Sequence, residues 1–122
     1  MTAFFRRYIL SGLGAALVFA SAIVGAIGQT KPIDGRELFT DVRKGNCVAC
    51  HQIPGDSVAV GKIRIGPDLA GIKARYPDRA RLRAVVWDQS ETLPNTIMPP
   101  YGKHRILTET EIDAVVGYLE SL

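Results

Sequence analysis

The clearest hydrophobic pattern lies near the C-terminal end of the chain, where apolar residues recur at helical spacing. The stripe consists of Ile112, Val115, Val116 and Leu119. Thr108 stands at the expected N-cap, and Glu111 follows three positions later in the arrangement of a capping box. Leu107 precedes the cap and is placed to pack on Ile112 as a hydrophobic staple. These signals predict an amphipathic helix that begins directly after Thr108.

A second helix is predicted near residue 34 by signals of the same kind. Asp34 is a favourable N-cap, and Glu37 lies three residues further on. The apolar face of this helix consists of Leu38, Phe39 and Val42. Gly45 is a residue type that commonly ends helices, so we expect the helix to end there.

The middle of the chain alternates loops with short helical stretches. Turn residues predict a loop over residues 52–67, and a short helix is predicted to begin within residues 66–71 and to end near Tyr76. Residues 78–87 predict another helix, which ends near Trp87, a residue expected to pack in the core or at a cofactor edge. Its inward residues are Leu82, Val85 and Val86. Residues 89–107 predict a further loop. No stretch carries a strand pattern, which favours an all-α fold.

Residues 1–28 have the organisation of an export signal. Arg6 and Arg7 form a positive start, and an uncharged run with small residues near its end follows. The run is also long enough to span a bilayer, so an uncleaved membrane anchor is the alternative. We therefore expect a signal peptide in residues 1–28 and one exported domain in residues 29–122.

Candidate chemistry is concentrated in five consecutive residues, Cys47-Val48-Ala49-Cys50-His51. C-x-x-C-H is the attachment signature of a c-type haem. Two thiols about one helical turn apart can each form a thioether with a vinyl group on one porphyrin edge, and the next residue then faces the iron. We expect Cys47 and Cys50 to hold one haem covalently and His51 to be its proximal ligand.

Two other uses of a C-x-x-C spacing agree less well with this chain. A thioredoxin-like dithiol is expected beside a βαβ unit, and no strand pattern accompanies the motif. A structural zinc site requires four ligands. The chain has two Cys and two His residues, and His104 does not stand at finger spacing from His51.

A haem that transfers electrons needs a second axial ligand opposite His51. Met98 is the only methionine left once a signal has been removed, and the two prolines after it restrict the backbone that directs its thioether. The alternatives are that Met98 fills a gap in the core, or that His104 is the ligand. His104 lies between Lys103 and Arg105, which indicates an exposed site. With both His51 and Met98 bound, the iron keeps no open position, and electron transfer is the chemistry that remains.

Charge is nearly balanced in the predicted domain. The formal net charge is +3, but Arg6 and Arg7 supply two of the positive charges and precede the domain. This balance argues against a general nucleic-acid binder. A domain this short and rich in Gly and Pro has a thin core, so a buried porphyrin would supply apolar surface that the fold needs.

The charges of the domain are unevenly distributed along the chain. The basic residues of its middle part are Lys62, Arg64, Lys73, Arg75, Arg79, Arg81 and Arg83. Residues 103–105 are basic as well, whereas the last helix is acidic. Either these are ordinary solvated helix faces, or the basic residues of 62–105 form a docking surface that steers a partner towards the haem.

The order of these features resembles a class I c-type cytochrome: a first helix, C-x-x-C-H, G-P-x-L-x-G in residues 66–71, a Met loop and a C-terminal helix. The resemblance implies an all-α fold of three to five helices packed around one covalently bound haem. It also implies that Pro67 offers its carbonyl oxygen to the ring N–H of His51 and so orients the proximal ligand.

A closer resemblance rests on N-T-I-M-P-P-Y-G-K-H-R-I-L-T in residues 95–108, together with residues 35–39, 44–53 and 71–75. These stretches resemble the SoxX family, the monohaem subunits of the SoxAX cytochromes of thiosulfate oxidation. The resemblance covers nearly all of residues 34–122.

The SoxX resemblance implies an electron-transfer subunit that contributes no catalytic residue. SoxAX is an L-cysteine S-thiosulfotransferase, which couples thiosulfate oxidatively to a cysteine of the carrier SoxYZ. The implied partners are a SoxA-like dihaem or monohaem subunit, SoxYZ and a downstream cytochrome c acceptor, all in the periplasm. This chain has no third cysteine that could act as a nucleophile. The alternative is an independent electron shuttle of the same fold.

Overall fold

The computed structural model describes residues 31–57, 63 and 65–122, and residues 32–122 form one compact unit. The predicted signal peptide of residues 1–28 lies outside the described residues. All regular structure in the described part is helical, which confirms the predicted all-α class. Its helices are α1 (Gly35–Thr40), α2 (Ile72–Arg75), α3 (Arg79–Trp87) and α4 (Glu109–Glu120), with 3-10 turns at Cys47–Ala49 and Gln89–Glu91. Within these residues, no helix is long and apolar enough to cross a membrane.

Helices α1 and α4 pack directly on each other. A Cβ atom on Gly35 would lie only 2.1 Å from the carbonyl oxygen of Ala114, so a residue without a side chain permits this close approach. The ring of Phe39 meets that of Tyr118 edge-on, with centroids 5.6 Å apart. Phe39 is 1% exposed and therefore belongs to the centre of the core.

Helix α4 begins as its sequence predicts. The Thr108 hydroxyl accepts a hydrogen bond from the Glu111 backbone N–H, and the Glu111 carboxylate accepts one from the Thr108 N–H. All four residues of the predicted apolar stripe are buried. Burial of each such side chain is worth about 1.5–3 kcal/mol, so α4 contributes much of the core.

The prediction that the first helix extends to Gly45 is wrong. Helix α1 ends at Thr40, and Asp41 terminates it because its side chain and carbonyl oxygen accept hydrogen bonds from the following turn. Val42, predicted to face inward, is 74% exposed. Gly45 instead allows a close crossing, since a Cβ there would lie 2.5 Å from the Leu38 carbonyl oxygen.

The predicted helix start within residues 66–71 is also wrong, because α2 begins only at Ile72. Residues 66–69 lie beside residues 50–52, and the N–H groups of Gly66 and Leu69 bond to that segment rather than to a helix. Helix α3 follows its prediction: Asp78 caps it through the Ala80 N–H, and Leu82 and Val86 are buried.

Candidate functional site

The helices and loops of the described part enclose a cavity of ≈ 280 Å³. This volume lies near the lower end of the range of about 300–1,000 Å³ that is usual for ligand pockets. Apolar side chains from α1, α3 and α4 form its walls, among them Phe39, Leu82 and Leu119. The predicted site residues that line it are Cys47, Cys50, His51, Pro67 and Met98. The fold therefore brings together five residues that are spread over half of the chain.

Residues 47–51 form a tight turn that places the side chains of Cys47, Cys50 and His51 in the cavity wall. Asn46 precedes it in the left-handed conformation, at φ 48°. The N–H groups of Cys50 and His51 both donate to the Cys47 carbonyl oxygen, at 3.1 and 2.9 Å. Because residues four apart in a helical turn share a face, Cys47 and His51 point to the same side.

The two thiols are separate from each other and form no disulfide. Burial raises the pKa of the Cys47 thiol to about 11. A free thiol of this kind stays protonated at neutral pH and is a poor nucleophile, since the thiolate is the reactive species. The environment of Cys47 thus disfavours the redox-dithiol alternative.

The ring of His51 is held on one side by a glycine and at one nitrogen by a carbonyl group. Its Nδ1 lies 2.8 Å from the Pro67 carbonyl oxygen. A Cβ on Gly66 would lie 2.4–2.8 Å from three ring atoms, so the ring packs directly on the bare backbone. A proton on Nδ1 donates to this carbonyl and leaves Nε2 with the lone pair that a metal ligand needs.

Backbone hydrogen bonds fix the position of this carbonyl group. The Gly66 N–H donates to the Cys50 carbonyl oxygen at 3.0 Å, and the Leu69 N–H donates to that of Gln52 at 2.7 Å. Residues 66–69 are thereby tied to the segment that carries His51. Sequence analysis missed Gly66 as a site residue, although the G-P dipeptide was a signal that could have found it.

Met98 lies in the cavity wall on a loop of residues 92–107, here called the Met98 loop. Its side chain is half-buried, and its backbone N–H donates to the Thr96 hydroxyl at 3.1 Å. His104 is exposed and does not line the cavity. Of the two residues considered as second ligand, only Met98 is positioned in the same cavity as His51.

The base of the Met98 loop carries contacts that sequence analysis did not identify. The buried Tyr101 hydroxyl donates to the Gly45 carbonyl oxygen at 2.7 Å, and burial raises the pKa of this phenol. Lys103 Nζ lies 2.6 Å from Asp88 Oδ2. This hydrogen bond, together with those from Ser90, lowers the pKa of Asp88 to about 2. The chain has no local signal for either contact, because the partners are distant in sequence.

Three basic residues of the predicted docking surface are paired with the acidic helix α4, and Lys62 and Arg64 lie outside the described residues. Arg79 and Lys73 both contact the Glu120 carboxylate. Arg83 pairs with Glu109 and Asp113. Helices α3 and α4 are neighbours, so their opposite charges compensate each other at this face. That pairing leaves Arg75, Arg81 and residues 104–105 as exposed basic groups without a carboxylate partner in this part of the described chain, although Arg75 donates to the Asp68 carbonyl oxygen.

The sequence model of the cytochrome c family matches residues 33–122. The matched range contains every residue that lines the cavity.

Solved and curated proteins give two further similarities. A chain in the crystal structure of SoxXA from P. pantotrophus is similar at a TM-score of 0.64 and 29% sequence identity, over 75% of this chain and 80% of that chain. An uncharacterized lipoprotein of Aquifex aeolicus (strain VF5) is 34% identical over 77 residues, which are 63% of this chain and 36% of that protein. The chain thus spans about a third of the length of this curated relative. The expected class I cytochrome c-like fold is confirmed by these matches.

Proposed function

The chain belongs to the cytochrome c family, carries a covalently bound haem c and transfers electrons, and from this premise we propose that it is the SoxX-like subunit of a SoxAX-type L-cysteine S-thiosulfotransferase. The main support is its likeness to a chain of SoxXA over three quarters of its length. In this role it would accept electrons that are released when thiosulfate is joined to a cysteine of a SoxYZ carrier.

The cavity residues support a specific assignment of haem attachment. Cys47 and Cys50 would form the two thioethers, His51 would be the proximal axial ligand, and Met98 would be the distal one. Pro67 would hold the proton on His51 Nδ1, so that Nε2 faces the iron. The haem supplies an iron that alternates between its ferric and ferrous states. The apolar walls of the cavity exclude water and suit a porphyrin.

A His/Met ligand pair explains why this chain would pass electrons and leave the sulfur chemistry to a partner. Both axial positions would be filled, so thiosulfate could not reach the iron readily. The chain has two cysteines, and both would be consumed by the haem. Formation of a sulfur–sulfur bond releases an electron pair, and a single haem takes up electrons one at a time. A partner with its own redox centre is therefore needed.

The proposed partner is a SoxA-like dihaem or monohaem subunit, with SoxYZ as carrier and another cytochrome c as downstream acceptor. We place this assembly in the periplasm. Residues 1–28 of this chain would be its export signal, and residues 29–122 would be its cytochrome domain. Because Arg79 and Arg83 are occupied by acidic partners, docking by charge would depend mainly on exposed groups such as Arg81 and Arg105.

Affinity capture of the full chain from native periplasm tests the proposed assembly. We expect a second haem-stained subunit to co-purify and to be identified by mass spectrometry. Recovery of the chain without any haem partner would instead favour an independent shuttle.

A turnover assay tests the division of labour. The purified chain alone should give negligible conjugation of thiosulfate to a carrier thiol. Addition of the captured partner should restore conjugation, with the haem of this chain becoming reduced during turnover. Robust conjugation by the isolated chain would contradict the electron-transfer role.

A further inference from the structure

We propose that residues 101–103 act as a positioning unit for Met98, which holds the loop in the conformation that places the thioether on the iron. This inference rests on the proposed ligation by Met98 and adds residues that do not touch the haem iron themselves. Three consecutive residues, which begin three positions after Met98, contact two separate parts of the protein, namely Gly45 and the end of α3.

The segment that precedes this unit has few contacts of its own. Leu93 is 55% exposed and Ile97 is 70% exposed. The backbone bonds within it are local, such as that from the Thr96 N–H to the Leu93 carbonyl oxygen. Restraint on the position of Met98 therefore has to come largely from the base of the loop.

The first contact connects the Met98 loop to the segment that leads into Cys47. Tyr101 is 7% exposed, and its hydroxyl donates to the Gly45 carbonyl oxygen at 2.7 Å. Gly45 lies two residues before Cys47, to which one edge of the haem would be attached. This hydrogen bond consequently fixes the loop relative to the attachment point of the cofactor.

The second and third contacts connect the loop to the end of α3. Gly102 packs on the Trp87 ring so closely that a Cβ would lie 2.0 Å from a ring carbon. Its N–H also donates to the Trp87 carbonyl oxygen at 3.1 Å. Lys103 forms its ion pair with Asp88, which is 4% exposed.

These contacts matter for ligation because an iron–thioether bond is in equilibrium with a dissociated state. An added ligand such as imidazole binds the iron only in that dissociated state, so its apparent affinity rises with the population of that state. Loss of a loop anchor should raise this population. Removal of the Tyr101 hydroxyl leaves the buried Gly45 carbonyl oxygen without this donor, which destabilises the anchored loop.

The test is an imidazole titration of the ferric holoprotein, followed by the change in its visible haem absorption and, where Met98 is present, also by loss of the near-infrared sulfur-to-iron band. Tyr101→Phe and Lys103→Met should each lower the apparent dissociation constant of imidazole by about tenfold. Lys103→Arg should restore much of the wild-type value because it retains the ion pair. Lys73→Met is the matched control, since it also breaks a lysine–carboxylate ion pair, at 3.1 Å to Glu120, away from the Met98 loop.

A second background separates positioning from general loss of stability. When Met98→Ala is already present, there is no thioether to displace, so Tyr101→Phe should leave imidazole affinity unchanged. An equal effect of Tyr101→Phe in both backgrounds, or no effect in either, would overturn the positioning role. If Met98→Ala itself leaves the near-infrared band in place, Met98 is not the ligand, and the positioning role proposed for residues 101–103 is wrong as well. A wild-type imidazole affinity for Lys103→Met would also contradict the proposal.

Discussion

The segment that carries His51 and the loop that carries Met98 face the same cavity but are held in different ways. Around His51, backbone groups make the contacts: residues 66–69 are hydrogen-bonded to residues 50–52, and a backbone carbonyl reaches the ring. Around Met98, the side chains of Tyr101 and Lys103 make long-range hydrogen bonds, and the Gly102 N–H adds a backbone bond to Trp87. The proximal ligand is therefore positioned by backbone groups, whereas the position of the distal ligand depends largely on individual side chains.

This difference has a consequence for how easily each side can be changed. The proximal contacts join residues about as far apart as some of the distal ones, such as His51 and Pro67 at 16 positions, but they use backbone groups, so most single substitutions outside the motif and the G-P dipeptide leave them intact. The distal contacts join residues that are 15 positions apart for Lys103 and Asp88 and 56 apart for Tyr101 and Gly45. We expect substitution of the key proximal residues to abolish haem attachment. Substitution of single distal residues should only weaken ligation by Met98.

The largest expected effect is loss of covalent haem. Cys47→Ala or Cys50→Ala should strongly reduce attachment, because each removes one of the two thioethers, and the double variant should abolish it. The measurement is haem staining of denatured protein together with intact mass, which should exceed the chain mass by one haem in the wild type. Haem that can be extracted from the wild type by acid and organic solvent would disagree with this prediction.

A smaller effect is expected when the backbone beside His51 is altered. Gly66→Ala places a Cβ among atoms of the imidazole ring, which should cost about 1–3 kcal/mol of unfolding free energy. Displacement of the ring should also weaken its hydrogen bond to Pro67. A less basic imidazole stabilises ferric iron less well, so the reduction potential should rise.

The matched control for that substitution is Gly117→Ala on α4, where nothing lies near the added methyl group. It should be neutral or stabilise by up to about 1 kcal/mol, because Ala is the better helix former. Denaturant unfolding and a redox titration measure both variants. A wild-type potential and stability for Gly66→Ala would mean that the ring is not held by this contact.

The distal side should respond to acid through Asp88. Its pKa is lowered from 3.8 to about 2, so the folded state favours its ionised form. The stabilisation is fully present above about pH 4 and is lost as the pH falls through about 2. The stability difference between wild type and Asp88→Asn should shrink over this pH window in acid unfolding followed by circular dichroism. A constant difference from pH 5 to pH 2 would show that Asp88 does not titrate as described.

The smallest effects are expected at the ion pairs between α3 and α4. Arg79→Gln should change the unfolding free energy by no more than about 1 kcal/mol, as is usual for exposed pairs. Arg81→Gln should leave stability unchanged and should affect only the association rate with an acidic partner, an effect that salt would suppress. A salt-independent association rate would favour an apolar contact near the haem edge.

Sequence patterns predicted the helices well where the signals were local. The capping residues of α1, α3 and α4 and the buried stripe of α4 are confirmed because caps and periodicity act within a few residues. The errors arose where backbone groups of a predicted helix form hydrogen bonds with other partners instead. Val42 was assigned to a helix that Asp41 ends early, and residues 66–69 use their N–H groups for a neighbouring segment.

The candidate site was predictable where a residue type or a short motif by itself indicates its chemistry. The C-x-x-C-H motif, the G-P dipeptide and the lone methionine of the domain indicated the residues that line the cavity. Tyr101 and Asp88 carry no such signal, since their roles depend on which distant group folding brings near them. The burial of Asp88 and its ion pair with the exposed Lys103 cannot be derived from a pattern of charges alone.

The most direct test of the proposed ligation by His51 and Met98 is the near-infrared sulfur-to-iron band of the ferric holoprotein. The wild type should show this band, Met98→Ala should lose it and shift the potential downwards, and His104→Ala should retain it. A thioether ligand favours ferrous iron, which is why its loss should lower the potential. If His104→Ala removes the band while Met98→Ala leaves it unchanged, the distal ligand is not Met98 and the proposed site is wrong.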